Sequence, residues 1–256
     1  MHTCHALEMR AASLLLAVVL LTGCAAPGGP EKLRVEVLGT VTHDTTAFTE
    51  GYELADGVLY ESTGLQGSST LRAVDPGTGK VLKRVDLPAE YFGEGIAVVG
   101  DKIWQLTWQQ DVAMLRDRTT LQQLSTASYQ DEGWGLCYDG KRLIMSDGTS
   151  LLTFRDPRTF AVTGHVQVDY EGQLNELECV DGSVWANVYP TRTIIRVDPG
   201  SGAVRGIADL SALGPKGDTT PDDVLNGISV APTAGEFLVT GKRWPLVYRV
   251  RFVRDE

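Results

Sequence analysis

The chain is short of the residues that bind metals. It holds four histidines and four cysteines in 256 residues. His2 and His5 lie in an N-terminal stretch that reads as a removable signal, which leaves His43 and His165. A three-histidine zinc site is therefore excluded from the mature chain, and a cysteine-rich one nearly so. Any Ser-His-Asp triad is confined to one of those two histidines. Positive charge is scarce as well, with 23 Lys and Arg against 33 Asp and Glu and a net charge of −10. Nucleic acid is not an expected partner, because phosphate contacts need clustered cations. Beyond the leader, no run approaches the roughly 18 apolar residues of a membrane span.

The leader itself is informative. Residues 1–23 carry Arg10 and then an apolar run from Ala11 to Leu21, too short for a span but suited to a signal-peptide core. The run ends in Leu21-Thr22-Gly23-Cys24, which resembles a bacterial lipobox. The resemblance implies cleavage before Cys24 and a diacylglycerol on its thiol. Residues 24–31 then form the lipidated cysteine and a tether, Pro27-Gly28-Gly29-Pro30. The expected location is the bacterial cell envelope, lipid-anchored through Cys24 and facing the periplasm or exterior. An oxidising compartment permits a bridge between Cys137 and Cys179. Sequence alone leaves open whether they pair or are two separate buried thiols.

Glycine is plentiful, 28 residues, so the chain turns often. The turns recur in a pattern. One phrase appears as FTEGYELADGVLYESTG (48–64), FGEGIAVVGDKIWQLTW (92–108) and EGWGLCYDGKRLIMSDGT (132–149). It returns as LNELECVDGSVWANVYP (174–190) and LNGISVAPTAGEFLVTGK (225–242). Each phrase is an apolar strand, a Gly-, Asp- or Pro-rich turn and a second strand, which predicts a hairpin. A second hairpin turns between phrases at Asp75, Asp117, Asp156 and Asp198, spaced 42, 39 and 42 residues apart. Four short strands in a period of about 40 is the arithmetic of a β-propeller blade.

The chain is therefore expected to be all-β, a single five-bladed propeller over residues 32–256. The last phrase leaves only one further strand before the C-terminus. Residues 33–41 supply the missing one, so the N-terminal strand is expected to close the ring by pairing into the last blade. Residues 209–223 break the period and predict a surface loop, with a helical turn around Pro221–Val224.

In such a ring the loops entering each phrase converge on one mouth of the central channel. They bring Phe48, Glu50, Phe92, Glu94, Glu132, Trp134, Asn175, Glu176 and Asn226 together, with Trp108, Tyr189 and Lys242 from later phrase positions. Aromatic walls with carboxylates, amides and one lysine describe a pocket for a small polar ligand. Each member also has a plain structural role open to it. The tryptophans can pack between blades, the asparagines can cap backbone groups, and Lys242 can be a solvated charge. The clustering of these types at one phase of five repeats is what points to a site.

Phe48-Thr49-Glu50-Gly51, Phe92-Gly93-Glu94-Gly95, Trp134-Gly135, Asn175-Glu176-Leu177-Glu178, Leu225-Asn226-Gly227 and Gly241-Lys242 with Trp244-Pro245 resemble the plant and bacterial glutaminyl-peptide cyclotransferases. The resemblance runs through all five units. It implies an acyltransferase that converts N-terminal glutamine of peptides and proteins to pyroglutamate with release of ammonia; no cofactor is expected to be required, and a monomer is expected. It makes Glu94 the general acid/base, and Asn175 and Lys242 the holders of substrate polar groups or of the oxyanion. Phe48, Glu50, Phe92, Trp108, Trp134, Tyr189 and Asn226 become substrate-binding residues. Two positions depart from the family pattern, Glu50 in place of glutamine and Tyr189 in place of tryptophan. Both touch the pocket, so they bear on substrate preference more than on reaction type. The competing classes are a non-catalytic periplasmic propeller that binds or scaffolds proteins and a metal-dependent lactonase or sugar-processing propeller. A structural cation in the channel is compatible with all three.

Overall fold

A computed structural model describes residues 29–216 and 220–255. The signal segment and Cys24 lie outside the described residues. No α-helix occurs among them, and the chain is all-β. Three four-stranded antiparallel sheets each follow chain order. The first is β2 (Thr49–Ala55), β3 (Val58–Thr63), β4 (Thr70–Val74) and β5 (Val81–Asp86). The second is β6 (Gly93–Val99), β7 (Lys102–Thr107), β8 (Val112–Asp117) and β9 (Gln123–Ser128). The third is β10 (Leu136–Tyr138), β11 (Leu143–Met145), β12 (Leu151–Arg155) and β13 (Val162–Gln167).

The remaining eight strands form one sheet. Its two halves are β14 (Gln173–Val180), β15 (Ser183–Tyr189), β16 (Thr193–Val197) and β17 (Val204–Asp209), then β1 (Glu31–Thr42), β20 (Leu246–Arg254), β19 (Phe237–Gly241) and β18 (Leu225–Val230). As expected, the N-terminal strand pairs with the C-terminal one: β1 runs antiparallel to β20 from Leu33 opposite Arg254 to Thr42 opposite Leu246. What the repeat did not foretell is that β1 also pairs in parallel with β17, Glu31 opposite Gly206 to Leu33 opposite Ala208. That second pairing is what joins the two halves. Both edges of β1 are used there, which removes an open edge.

The recurring aspartates explain the period. Asp75 Oδ1 accepts from the backbone N–H groups of Gly77 and Thr78. Asp117, Asp156 and Asp198 do the same for the residues two and three positions on. Each is an Asx turn that closes the third-to-fourth strand hairpin of its group. The expected helical turn at Pro221–Val224 is instead a non-helical turn, with Asp223 N–H on Thr220 O at 3.0 Å.

In each four-stranded sheet the first three strands are largely buried and the fourth is the exposed one. β6 is buried along nearly its whole length, whereas β9 is mostly exposed. The first strands touch in a closed cycle, β2 to β6, β10, β14, β18 and back to β2. Glycine makes this approach possible. A Cβ on Gly51 would lie 2.7 Å from Ile96 N, one on Gly95 2.6 Å from Trp134 O, and one on Gly135 2.1 Å from Asn175 O. Buried apolar side chains gather in five clusters that lie between successive strand groups. Tyr60, Leu71, Ile96 and Ile103 belong to one, and Trp185, Ile194, Phe237 and Trp244 to another. Cys137 on β10 and Cys179 on β14 form a disulfide, with Cα atoms 5.4 Å apart. The bridge settles the alternative that the sequence left open.

The glycine contacts are testable. Gly135→Ala must displace backbone rather than a flexible side-chain end, so it is expected to cost about 1–3 kcal/mol as overpacking. Thermal denaturation checks it, and an unchanged melting temperature would contradict the close approach of β10 and β14.

Candidate active site

One position of each phrase, its second or third residue, recurs at or just before the start of the first strand. Glu50, Glu94, Trp134, Asn175 and Asn226 therefore stand side by side around the cycle of first strands. Next along each strand comes Gly51, Gly95, Gly135, Glu176 or Gly227. Glycine at that point lets the neighbouring strand close in. The exception, Glu176, uses its carboxylate structurally, accepting from Tyr52 N–H at 3.2 Å and Ile228 N–H at 2.7 Å. It ties β14 to β2 and β18.

Over this cluster opens a cavity of about 450 Å³. Glu94 and Asn175 line it, with Glu50 and Lys242 on one side. Its walls form a chain of aromatic contacts. Phe48 meets Phe92 edge to face at 6.1 Å, Phe92 meets Trp108 at 5.6 Å, and Trp134 meets Tyr189 edge to face at 5.6 Å. Lys242 Nζ bridges the ends, 4.6 Å from the Phe48 ring centre and 5.7 Å from that of Tyr189. Two glycines make room for the rings. A Cβ on Gly64 would meet Phe92 at 2.3 Å, and one on Gly148 would meet Trp134 at 2.6 Å.

The electrostatics separate the two carboxyl groups. Glu50 is fully committed: Lys242 Nζ donates to its Oε1 at 2.7 Å and Asn226 Nδ2 to its Oε2 at 2.9 Å. Burial raises its pKa and these partners oppose the rise, leaving it at about 7. Glu94 is 5% exposed, and its Oε2 is buried with no hydrogen-bond partner. Burial, then the charge of Glu50, push its pKa well above the usual carboxyl range, with Lys242 pulling the other way. Asn175 is also buried, and its Oδ1 lacks a partner. An unsatisfied acid and an unsatisfied amide oxygen thus share one pocket. Buried polar atoms are normally paired, so these two are set to meet a ligand.

The structure brings together Glu94, Lys242, Asn175, Phe48, Glu50, Phe92, Trp108, Trp134 and Tyr189 as lining residues. Asn226 is not in the lining. It is fully buried behind Glu50, where it also donates to Thr49 O at 3.0 Å. Lys242, read as a holder of the substrate or oxyanion, is engaged in the ion pair with Glu50, with two further N–H donors. Leu65, Gln173 and Asp222 line the mouth and carried no signal in the repeat. His43 lies elsewhere, between Glu61 Oε1 at 2.8 Å and Trp244 O at 2.7 Å. Among the described residues no group of three or more His, Cys, Asp and Glu is placed to hold a metal ion.

A desolvated acid facing an amide and a lysine, inside aromatic walls, is the equipment of an enzyme that moves protons at a small polar group. The sequence profile described as glutamine cyclotransferase matches residues 11–252. The glutaminyl-peptide cyclotransferase of Arabidopsis thaliana is 39% identical over 227 residues, which span 85% of this chain and 71% of the relative. The crystal structure of Myxococcus xanthus glutaminyl cyclase matches with a TM-score of 0.83 at 36% identity, covering 89% of this chain and 100% of that one. The chain belongs to the glutamine cyclotransferase family.

Burying Glu94 has a consequence for stability. Its folded pKa lies above its unfolded value, so folding is favoured below the unfolded pKa near 4.3 and loses stability as pH rises toward the folded pKa. Glu94→Gln removes that loss. The variant is expected to melt above the wild type at pH 8 and close to it at pH 4.5. A variant that melts below the wild type at both pH values would contradict the burial of an unpartnered acid.

Proposed function

We propose that the chain closes N-terminal glutamine of peptides and proteins into pyroglutamate and releases ammonia, as an acyltransferase of its family. The carrying observation is Glu94, buried and unpartnered inside an aromatic pocket beside the Glu50–Lys242 pair. In the reaction the neutral α-amine attacks the side-chain carboxamide carbon. A C–N bond forms to close a five-membered lactam, and the bond to the carboxamide nitrogen breaks. Glu94 takes a proton from the attacking amine and delivers one to the departing nitrogen, so its own state is restored. An acid/base with a pKa raised toward the operating pH suits both halves of that exchange.

The carbonyl oxygen gains charge as the amine attacks. Lys242 and Asn175 supply the donors that meet it. The aromatic walls hold the glutamine side chain folded back on its own amine. Such orientation is worth up to about 7–11 kcal/mol of barrier. None of these steps draws on a cofactor.

The scaffold of this proposal is a five-bladed propeller. Supporting it are five first strands in a closed cycle, five core clusters and the β1–β20 pairing. The mature protein is proposed to be a monomer anchored by a lipid on Cys24 to a bacterial envelope membrane. Cys24→Ser is expected to move it from the membrane fraction to the soluble one, and retention in the membrane fraction would contradict the anchor.

The function is tested by incubating the protein with short Gln-initiated peptides and following ammonia release and the matching mass loss. Glu94→Gln is expected to lower kcat by about 10²–10⁴-fold, and near-wild-type turnover would remove Glu94 from the mechanism. Glu50→Gln deletes a charge that raises the pKa of Glu94 and frees Lys242, which lowers it. The acid limb of the kcat/KM profile should therefore move to lower pH.

A further inference from the structure

We infer that Glu132 is a positioning residue that fixes the width of the substrate pocket by clamping its two tryptophans to one carboxylate oxygen. The inference rests on the function proposed above and concerns a side chain outside the pocket lining. Trp108 Nε1 donates to Glu132 Oε2 at 2.7 Å, and Trp134 Nε1 donates to the same oxygen at 2.9 Å. The other oxygen accepts from Gln109 Nε2 at 2.7 Å. Partial burial works against ionisation of Glu132, but hydrogen bonds from Gln109, Trp134 and Trp108 hold its pKa below the ordinary carboxyl value. It is an ionised acceptor at neutral pH.

The clamp closes a gap in the wall. Phe48, Phe92 and Trp108 are joined by ring contacts, as are Trp134 and Tyr189. Lys242 joins the two runs on one side through Phe48 and Tyr189. On the other side Glu132 makes the connection, by hydrogen bonds to both indoles. Two charged side chains of opposite sign thus complete the aromatic belt. An indole has one N–H and no acceptor, so a bond to that nitrogen fixes how the whole ring faces the pocket. Setting two rings from one atom fixes their separation, which is what a pocket for one glutamine side chain requires. A misplacement of about 1 Å at a positioning group can cost 100-fold in rate.

The test uses Glu132→Ala and Glu132→Gln. In Glu132→Ala, KM for a Gln-initiated peptide should rise about tenfold, with kcat less affected. Acrylamide quenching of tryptophan fluorescence should rise with it. The chain has five tryptophans, and Trp104, Trp185 and Trp244 are buried, so the added quenching reports Trp108 and Trp134. Glu132→Gln keeps an oxygen acceptor and should restore both KM and quenching. Trp134→Phe keeps a ring without the donor and should reproduce part of the KM rise, which tests the clamp even if Glu132→Ala fails to fold. Unchanged KM and quenching in Glu132→Ala, or Glu132→Gln as impaired as Glu132→Ala, would overturn the proposal. If the wild type does not cyclise such peptides, the functional reading falls, and the quenching comparison still decides the clamp.

Discussion

Taking a carboxyl group out of water without a hydrogen-bond partner costs free energy, and far more if the group stays ionised. Glu94 is held in that situation. The surrounding fold must meet the cost, because the same burial gives the acid its raised pKa. Glu50 faces a similar penalty but meets it locally, through Lys242 and Asn226. Two carboxyl groups at equivalent positions of adjacent repeats are therefore driven to different states by their partners alone. This division of labour leaves one acid held by its partners and one without a partner, free to exchange a proton, in a single pocket.

Rigidity is the second requirement. Glu94 sits on β6, a strand buried along most of its length and flanked by glycines that allow β2 and β10 to approach within van der Waals contact. Gly95 N–H bonds to Trp134 O at 2.7 Å, which couples the position of the acid to that of the pocket wall. The Cys137–Cys179 bridge and the backbone bonds to Glu176 act on the neighbouring strands β10 and β14. The acid, the paired carboxylate and the amide thus sit on strands, Glu94 on β6, Glu50 on β2 and Asn175 on β14, as precise placement demands.

Much of this was legible in the residues because repetition exposes function. A phrase that recurs five times sets its near-constant glycine apart from the variable residue before it, and that variable position carries Glu50, Glu94, Trp134, Asn175 and Asn226. The Asx-turn aspartates announced the hairpins for the same reason, since each turn needs the same local bonds. What escaped was non-local. The parallel pairing of β1 with β17 depends on where the chain ends meet the ring, which no local pattern records. The burial of Asn226 behind Glu50 depends on the side-chain direction at a strand bulge between Leu225 and Ile228. Glu132 was visible as a member of its phrase, but its hold on two indoles is a matter of three-dimensional reach. Leu65, Gln173 and Asp222 come from segments with no repeat signal.

The protonation state of Glu94 is the most direct point of attack. Infrared difference spectra between the wild type and Glu94→Gln, collected across pH, isolate this carboxyl from the other buried acids. The account predicts that the wild type carries an extra protonated-carboxyl band that persists above the ordinary glutamate range and gives way to a carboxylate band as pH rises further. A carboxylate band at pH 7 that titrates near the ordinary glutamate value would contradict it.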